Sequence, residues 1–140
     1  MKKFRKPKKF DVSAVVIGAG AAGLVSSIIF AGGRGKVILI EQGKMGGDCL
    51  NTGCIPSKSL IRASRLMFDI SHAGEFGIEV AEGKVNFEGV IERIKKVIKS
   101  IEPHDSVERL TSLGVECISG SARIESPYLV SVNDKTISTR

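Results

Sequence analysis

In the first third of the chain, two short apolar runs flank a segment with helical periodicity. Residues 12–17 and 36–40 are rich in β-branched side chains, as expected for buried strands. Between them, residues 21–31 keep Leu24 and Ile28 at helical spacing until two glycines end the helix. Strand, helix and strand fit into about 30 residues, the size of a βαβ unit, which predicts an α/β fold with a parallel sheet.

Helical periodicity dominates the middle of the chain. We interpret residues 42–52 as a loop and residues 56–71 as a helix with its proline in the first turn. Residues 87–101 place apolar side chains at steps of three and four opposite a Glu/Lys face, which predicts the longest helix. Pro103 breaks or kinks it, and residues 107–113 continue with the same period.

The last part of the chain has the pattern of short strands. Residues 115–118 predict a third parallel strand. Residues 122–124, 128–132 and 135–137 predict an antiparallel meander, with an Asn-Asp pair as its last tight turn.

The positive charge of the chain is concentrated at one end. The 140 residues are 42% hydrophobic and 26% charged, which is ordinary for one globular domain. Six of the 21 basic residues lie within residues 1–10, so the rest of the chain carries 15 basic and 15 acidic side chains. We interpret residues 1–10 as a disordered basic arm and residues 11–140 as the folded part. Because no basic stripe with interleaved aromatic residues follows, we expect no nucleic-acid partner.

The cysteine count bears on compartment and metal content. Three cysteines are too few for a secreted disulfide scaffold, which favours a reducing, cytoplasmic location. Together with the two histidines they lack the closely paired ligands of structural zinc, so we expect no metal site. The apolar stretch at residues 14–33 contains too many glycines and serines for a good membrane helix.

A Gly-x-Gly-x-x-Gly pattern directly follows the first predicted strand and opens the first helix. Gly18 permits the tight turn, Gly20 lets a pyrophosphate approach the backbone, and Gly23 lets the helix lie close to the strand. Glu41 ends the second strand, where an acid can bind both hydroxyls of a ribose. These features predict a dinucleotide site, for NAD or FAD, and a parallel sheet in the order third, second, first strand.

A second motif occupies residues 46–58. Cys49 and Cys54, separated by four residues at the start of a helix, can close a small disulfide. The helix N-terminus and Lys58 favour the thiolate when the pair is reduced. The pair is therefore a candidate redox switch.

With its Gly-Gly-x-Cys-x4-Cys-x-Pro-Ser-Lys string, the sequence resembles the class I pyridine nucleotide-disulfide oxidoreductases, the flavoprotein family of dihydrolipoyl dehydrogenase, glutathione reductase and mercuric reductase. The resemblance covers residues 11–140 and is greatest to the mercuric reductase-like and dihydrolipoyl dehydrogenase-like branch. It implies a Rossmann-like FAD-binding domain, incomplete, with an inserted helical hairpin and a small antiparallel meander.

The resemblance also implies roles for individual residues. Cys54 contacts the flavin, Cys49 is the interchange thiol that meets the substrate, and Lys58 lies near the flavin N5. Asp48 stands where the family often has threonine, and an acid near the phosphates is unfavourable unless it turns away. The candidate cofactor-binding residues are Gly18, Gly20, Ala21, Ala22, Gly23, Glu41, Gln42, Gly47, Asp48 and Lys58, and the candidate catalytic residues are Cys49 and Cys54.

The implied activity is that of an FAD-dependent NAD(P)H oxidoreductase, which passes electrons through the flavin to Cys49–Cys54 and on to a disulfide or a metal ion such as mercuric ion. Family members continue with an NAD(P)H domain and a dimerisation domain, so we expect a homodimeric full-length enzyme and an N-terminal piece that is inactive alone. Some relatives carry a preceding membrane domain joined by a basic linker, which the arm resembles. The alternative is a non-catalytic nucleotide-binding or interaction fragment.

Overall fold

The computed structural model describes residues 4–140, so the first three residues of the basic arm lie outside the described part. The chain divides into two compact units. One comprises the residues up to Gly47 together with Glu102–Arg140, and the other comprises Asp48–Ile101. Residues 4–10 form no helix or strand.

The described residues contain strands and helices in the following order along the chain. They are β1 (Ala14–Ile17), α1 (Ala21–Gly32), β2 (Val37–Glu41), α2 (Gly47–Asn51), α3 (Cys54–Ser71), α4 (Phe87–Ile101), α5 (Val107–Ser112), β3 (Val115–Ser119), β4 (Ala122–Ser126), β5 (Leu129–Val132) and β6 (Lys135–Ser138), with 3-10 turns at Ala73–Phe76 and Glu102–Asp105.

The first unit is built on a parallel sheet in the order β1-β2-β3. This confirms the predicted α/β class and the predicted strand order. The central strand β2 is buried at its first four positions, and successive side chains point to opposite faces. Val37 and Leu39 join a core with Leu24 of α1 and Leu110 of α5. One face of the sheet is therefore covered by helices.

The other face of the sheet is covered by the meander. Ile38 and Ile40 of β2 belong to a second core with Val130, Val132 and Ile137. Strands β4, β5 and β6 pair antiparallel, as predicted. The turn between β5 and β6 uses a left-handed conformation at Asn133, with φ of 50°, which asparagine adopts more readily than most residues.

Asp11, just before β1, connects the start of the sheet to the end of the meander. Its carboxylate accepts hydrogen bonds from the backbone N–H and the hydroxyl of Ser138, at 2.8 and 2.7 Å. Its own N–H donates to the Ser138 carbonyl at 3.1 Å. The pKa of Asp11 is lowered mainly by the side-chain and backbone hydrogen bonds from Ser138.

The second unit is a helical hairpin in which α3 packs against α4. The expectation that residues 87–101 form the longest helix is wrong, because α3 has 18 residues and α4 has 15. Helix α3 starts two residues before Pro56, which the first turn tolerates because an N–H there has no helical partner. Among the described residues no helix combines the length and apolarity that crossing a membrane requires.

The interpretation of residues 42–52 as a loop is also wrong in part, since α2 forms a short helical turn there. The carbonyl of Asp48 accepts hydrogen bonds from the N–H groups of Thr52 and Gly53, at 2.9 and 2.5 Å. These local bonds close the turn, and five residues are too few to show an amphipathic period.

The close packing of α1 on β1 provides a test of the fold. A Cβ at Gly23 would lie 1.8 Å from the carbonyl oxygen of Gly18, whereas a Cβ at Gly32 would meet nothing within 4 Å. We expect Gly23→Val to lower the free energy of unfolding by about 2 kcal/mol or more, because the backbone must move. Gly32→Ala should change it by no more than about 1 kcal/mol. Urea unfolding followed by circular dichroism measures both, and equal stability of the two variants contradicts the packing.

Candidate functional site: a glycine turn and a thiol pair

The turn between β1 and α1 needs glycine at two positions for different reasons. Gly18 has a φ of 96°, a backbone conformation that residues with a side chain rarely adopt. Its N–H donates a hydrogen bond to the carbonyl of Ile40 at 2.8 Å. Gly23 lets the first turn of α1 rest against the Gly18 carbonyl. The two glycines therefore bring the start of α1 close to the end of β1.

Gly20 lies at the open side of this turn. It is the N-cap of α1, no side chain of the described residues caps the helix there, and a Cβ would meet nothing within 4 Å. Ala21 and Ala22, in the first helical turn, are exposed. The first N–H groups of a helix have no partner within the helix and favour negative charge. The open space at Gly20 thus fits a bound phosphate group.

The carboxylate of Glu41 is hydrogen-bonded to the glycine turn. Its Oε2 accepts a hydrogen bond from the N–H of Ala19 at 2.5 Å, and its Oε1 accepts from Gly43 at 2.7 Å. The N–H groups of Ala19 and Gly43, and then that of Gln42, lower the pKa of Glu41 below its usual value. The carboxylate is therefore ionised at neutral pH, and each oxygen keeps a lone pair for a ribose hydroxyl.

The segment after β2 folds back on the turn. Gly47 has φ of 56°, and a Cβ there would lie 2.8 Å from the Cα of Gly20. Gln42, next to Glu41, is exposed. The structure thus brings together the predicted residues Gly18, Gly20, Gly23, Glu41, Gln42 and Gly47 within the first unit. Their geometry fits a dinucleotide phosphate and ribose.

The remaining predicted site residues lie in the helical unit. Cys54 opens α3 and is exposed, while Cys49 in α2 is half-buried, and both are free thiols. The thiol of Cys54 hydrogen-bonds to that of Cys49. Lys58 follows Cys54 by one helical turn, so both lie on the same face of α3. Two thiols in contact beside a cation have the chemistry of a redox pair.

The predicted preference for the thiolate does not hold for Cys49. Its pKa is raised, first by the hydrogen bond with the Cys54 side chain, then by burial, and then by repulsion from a Cys54 thiolate. The charge of Lys58 lowers this pKa but is a smaller effect.

Asp48 makes its hydrogen bonds locally. Its Oδ1 accepts from the hydroxyl of Thr52 at 3.2 Å, in the same turn in which its carbonyl accepts from Thr52 and Gly53. A Cβ at Gly53 would lie 3.0 Å from the Asp48 carbonyl oxygen, so this turn favours a glycine. In residues 4–140 no group of three or more His, Cys, Asp or Glu side chains is placed to hold a metal ion.

Two contributors to the site were missed by sequence reasoning. Ala19, which is fully buried, and Gly43 both act on Glu41 through backbone N–H groups. A backbone donor has no side-chain signature. The only signal in the sequence was the position of Ala19 inside the glycine motif.

Comparison with known proteins agrees with this geometry. The family model for pyridine nucleotide-disulphide oxidoreductase matches residues 12–138. The chain is 35% identical over 131 residues to a dihydrolipoyl dehydrogenase of Bacillus subtilis (strain 168), covering 93% of this chain and 27% of the relative. It is 44% identical over 87 residues to the dihydrolipoyl dehydrogenase of Chlamydia trachomatis serovar D, covering 62% of this chain and 19% of the relative.

A mercuric reductase of Bacillus cereus is 27% identical over 131 residues, covering 94% of this chain and 21% of the relative. The chain therefore belongs to the pyridine nucleotide-disulphide oxidoreductase family. Enzymes of this family use FAD and NAD(P)H. The chain spans between 19% and 27% of the length of these three relatives.

The lowered pKa of Glu41 predicts a pH dependence of stability. Because the folded pKa lies below the usual 4.5, ionised Glu41 stabilises the fold above pH 4.5, and this contribution is lost as the pH falls through the lowered pKa. In acid titrations of urea stability, Glu41→Gln should therefore show a shallower decline than wild type. The pKa of Asp11 is also lowered, so Asp11 contributes equally to the acid-induced loss of stability in both proteins. Glu75→Gln, an exposed control in the helical unit, should match wild type.

The raised pKa of Cys49 predicts how its alkylation depends on pH. Cys54→Ala removes the hydrogen bond and the repulsion, so the midpoint of Cys49 alkylation should move to lower pH. Lys58→Met removes the opposing charge and should move it to higher pH. Iodoacetamide labelling with peptide mass spectrometry measures both. The pKa of Cys117 is raised by burial in the other unit, so its alkylation midpoint should be unchanged in both variants. An unchanged alkylation midpoint of Cys49 in both variants contradicts the predicted effects of Cys54 and Lys58.

Proposed function

We propose that this chain is the part of an FAD-dependent NAD(P)H oxidoreductase that binds the adenosine diphosphate half of FAD and carries the redox-active thiol pair. The observation that carries the proposal is the position of Glu41, whose ionised carboxylate is hydrogen-bonded to the glycine turn beside the open, uncapped start of α1. Hydrogen-bond donors for a phosphate and an acceptor for ribose hydroxyls are therefore adjacent.

Binding would depend on backbone donors and one carboxylate. Gly18 and Gly20 leave room for the pyrophosphate, and the N–H groups at the start of α1 donate to it. Glu41 accepts hydrogen bonds from the ribose hydroxyls. Four further residues border this site: Ala21, Ala22, Gln42 and Gly47. Since the carboxylate already holds the turn in place, little ordering is needed when the nucleotide binds.

The thiol pair would carry two electrons. Oxidation of Cys49 and Cys54 to a disulfide forms one S–S bond and releases two electrons and two protons, and reduction reverses this. FAD, when bound, supplies a two-electron carrier between a nicotinamide and this disulfide. We assign Cys54 to the flavin side and Cys49 to the acceptor side, with Lys58 near the flavin and Asp48 at the edge of the site. The positive charge of Lys58 lowers the pKa of Cys49 and so favours the Cys49 thiolate.

The acceptor would be a disulfide or a metal ion such as mercuric ion. The printed names of the relatives support both, since they include dihydrolipoyl dehydrogenases and a mercuric reductase. The low cysteine count favours a reducing, cytoplasmic compartment. We also propose a homodimer for the full-length enzyme, and a linker role for the basic arm where a membrane domain precedes it.

A second candidate function is nucleotide binding without catalysis. It is favoured by the observation that the glycine turn and Glu41 lie in one compact unit, while both thiols lie in the other. The phosphate and ribose contacts therefore do not require the redox pair.

Titration of the purified 140-residue chain with FAD and with ADP tests the proposal. We expect both to bind, and Glu41→Gln to weaken both by about tenfold, because a charge-assisted acceptor is lost. Glu75→Gln and Cys54→Ser should leave the affinity for ADP unchanged. Turnover with NAD(P)H should be undetectable.

Calorimetry gives the affinities, and circular dichroism checks that each variant is folded. Absence of nucleotide binding by the folded chain contradicts both candidate functions. Binding of FAD that is insensitive to Glu41→Gln contradicts the assignment of the ribose site.

A further inference from the structure

The turn between the two cysteines is closed by hydrogen bonds to Asp48. Its carbonyl accepts from the N–H groups of Thr52 and Gly53, at 2.9 and 2.5 Å, and its Oδ1 accepts from the Thr52 hydroxyl at 3.2 Å. The first two bonds use only backbone groups, which nearly every residue supplies. The third bond joins two side chains, so it depends on which residues stand at positions 48 and 52.

This side-chain bond lies next to both thiols in the chain. Asp48 directly precedes Cys49 in α2, and Thr52 stands two residues before Cys54, which opens α3. The backbone between the two bonded side chains therefore carries Cys49 and leads directly to Cys54. A change in this short stretch of backbone moves one thiol relative to the other.

The closed turn already holds the thiols as disulfide formation requires. Both cysteines are free, and their thiols are in contact. A bond that favours the closed turn before oxidation spares the conformational entropy that closing the turn would otherwise cost. Without it, the dithiol gains freedom that the disulfide lacks. Loss of the side-chain bond should therefore favour the dithiol.

The carboxylate of Asp48 acts here as a hydrogen-bond acceptor. The main causes of the raised pKa of Cys49 are Cys54 and burial, and the charge of Lys58 acts against them. The Asp48 carboxylate instead accepts from the Thr52 hydroxyl. An amide oxygen at position 48 could accept the same bond without a charge, so the two effects can be separated.

From these contacts we infer that Asp48 and Thr52 are positioning residues, whose side-chain hydrogen bond keeps Cys49 and Cys54 in contact and so favours the disulfide over the dithiol. The inference rests on the proposed redox role of the thiol pair. The step to be measured is exchange with glutathione disulfide. The two cysteine thiols form one S–S bond and lose two electrons and two protons, while the S–S bond of the oxidant breaks and gives two glutathione thiols.

Equilibration of the 140-residue chain in glutathione buffers, followed by alkylation and peptide mass spectrometry, gives the equilibrium constant of the disulfide. We expect Thr52→Val, which removes the donor hydroxyl, to lower this constant about threefold, or by about 14 mV. Asp48→Ala should have a similar effect, and the double variant should lose no more than either alone, since one bond is lost in each case.

Three further variants serve as controls. Thr52→Ser keeps a donor and Asp48→Asn keeps an acceptor, so both should stay closer to wild type than Thr52→Val and Asp48→Ala. Thr111→Val changes an exposed threonine of the other unit and should leave the equilibrium constant unchanged. Circular dichroism checks that each variant is folded.

The outcomes distinguish this inference from the proposed function. A disulfide that forms equally well in wild type and in Thr52→Val overturns the positioning role alone, as do additive losses in the double variant. Equal losses in Asp48→Asn and Asp48→Ala, with none in Thr52→Val, assign the effect to charge and also overturn it. Absence of the disulfide in wild type contradicts the redox role itself and overturns the inference with it.

Discussion

The first unit depends on the contact between the start of α1 and the end of β1. Because the Cβ position of Gly23 lies 1.8 Å from the Gly18 carbonyl oxygen, any side chain there would push the helix away from the strand. At the same turn the N–H of Gly18 donates to the carbonyl of Ile40, and Ala19 is completely buried. The close approach of the two backbones thus places the uncapped start of α1 at the end of β1.

Glu41 connects the glycine turn to the end of β2. Parallel pairing sets Ile17 opposite Ile40, so Gly18, which follows β1, and Glu41, the last residue of β2, lie at the same edge of the sheet. At that edge the carboxylate binds the N–H groups of Ala19 and Gly43 and is held ionised. One side chain therefore links the turn after β1 to the turn after β2.

The thiol pair is organised by local hydrogen bonds. The carbonyl and carboxylate of Asp48 bind Thr52, and the carbonyl also binds the N–H of Gly53, which closes the turn between the two cysteines. The closed turn brings the thiol of Cys54 to that of Cys49, and this contact raises the pKa of Cys49. A pair that is already in contact needs little backbone movement to form an S–S bond.

The sequence by itself determined the βαβ unit, the strand order and the antiparallel meander, because hydrophobic periodicity and the spacing of three glycines are local signals. Only the tertiary structure decided three other features. These are the bond between Glu41 and the Ala19 N–H, the link from Asp11 to Ser138, and the raised pKa of Cys49. The first two join residues 22 and 127 positions apart. The third depends on two thiols being in contact, and residue spacing alone does not establish such contacts.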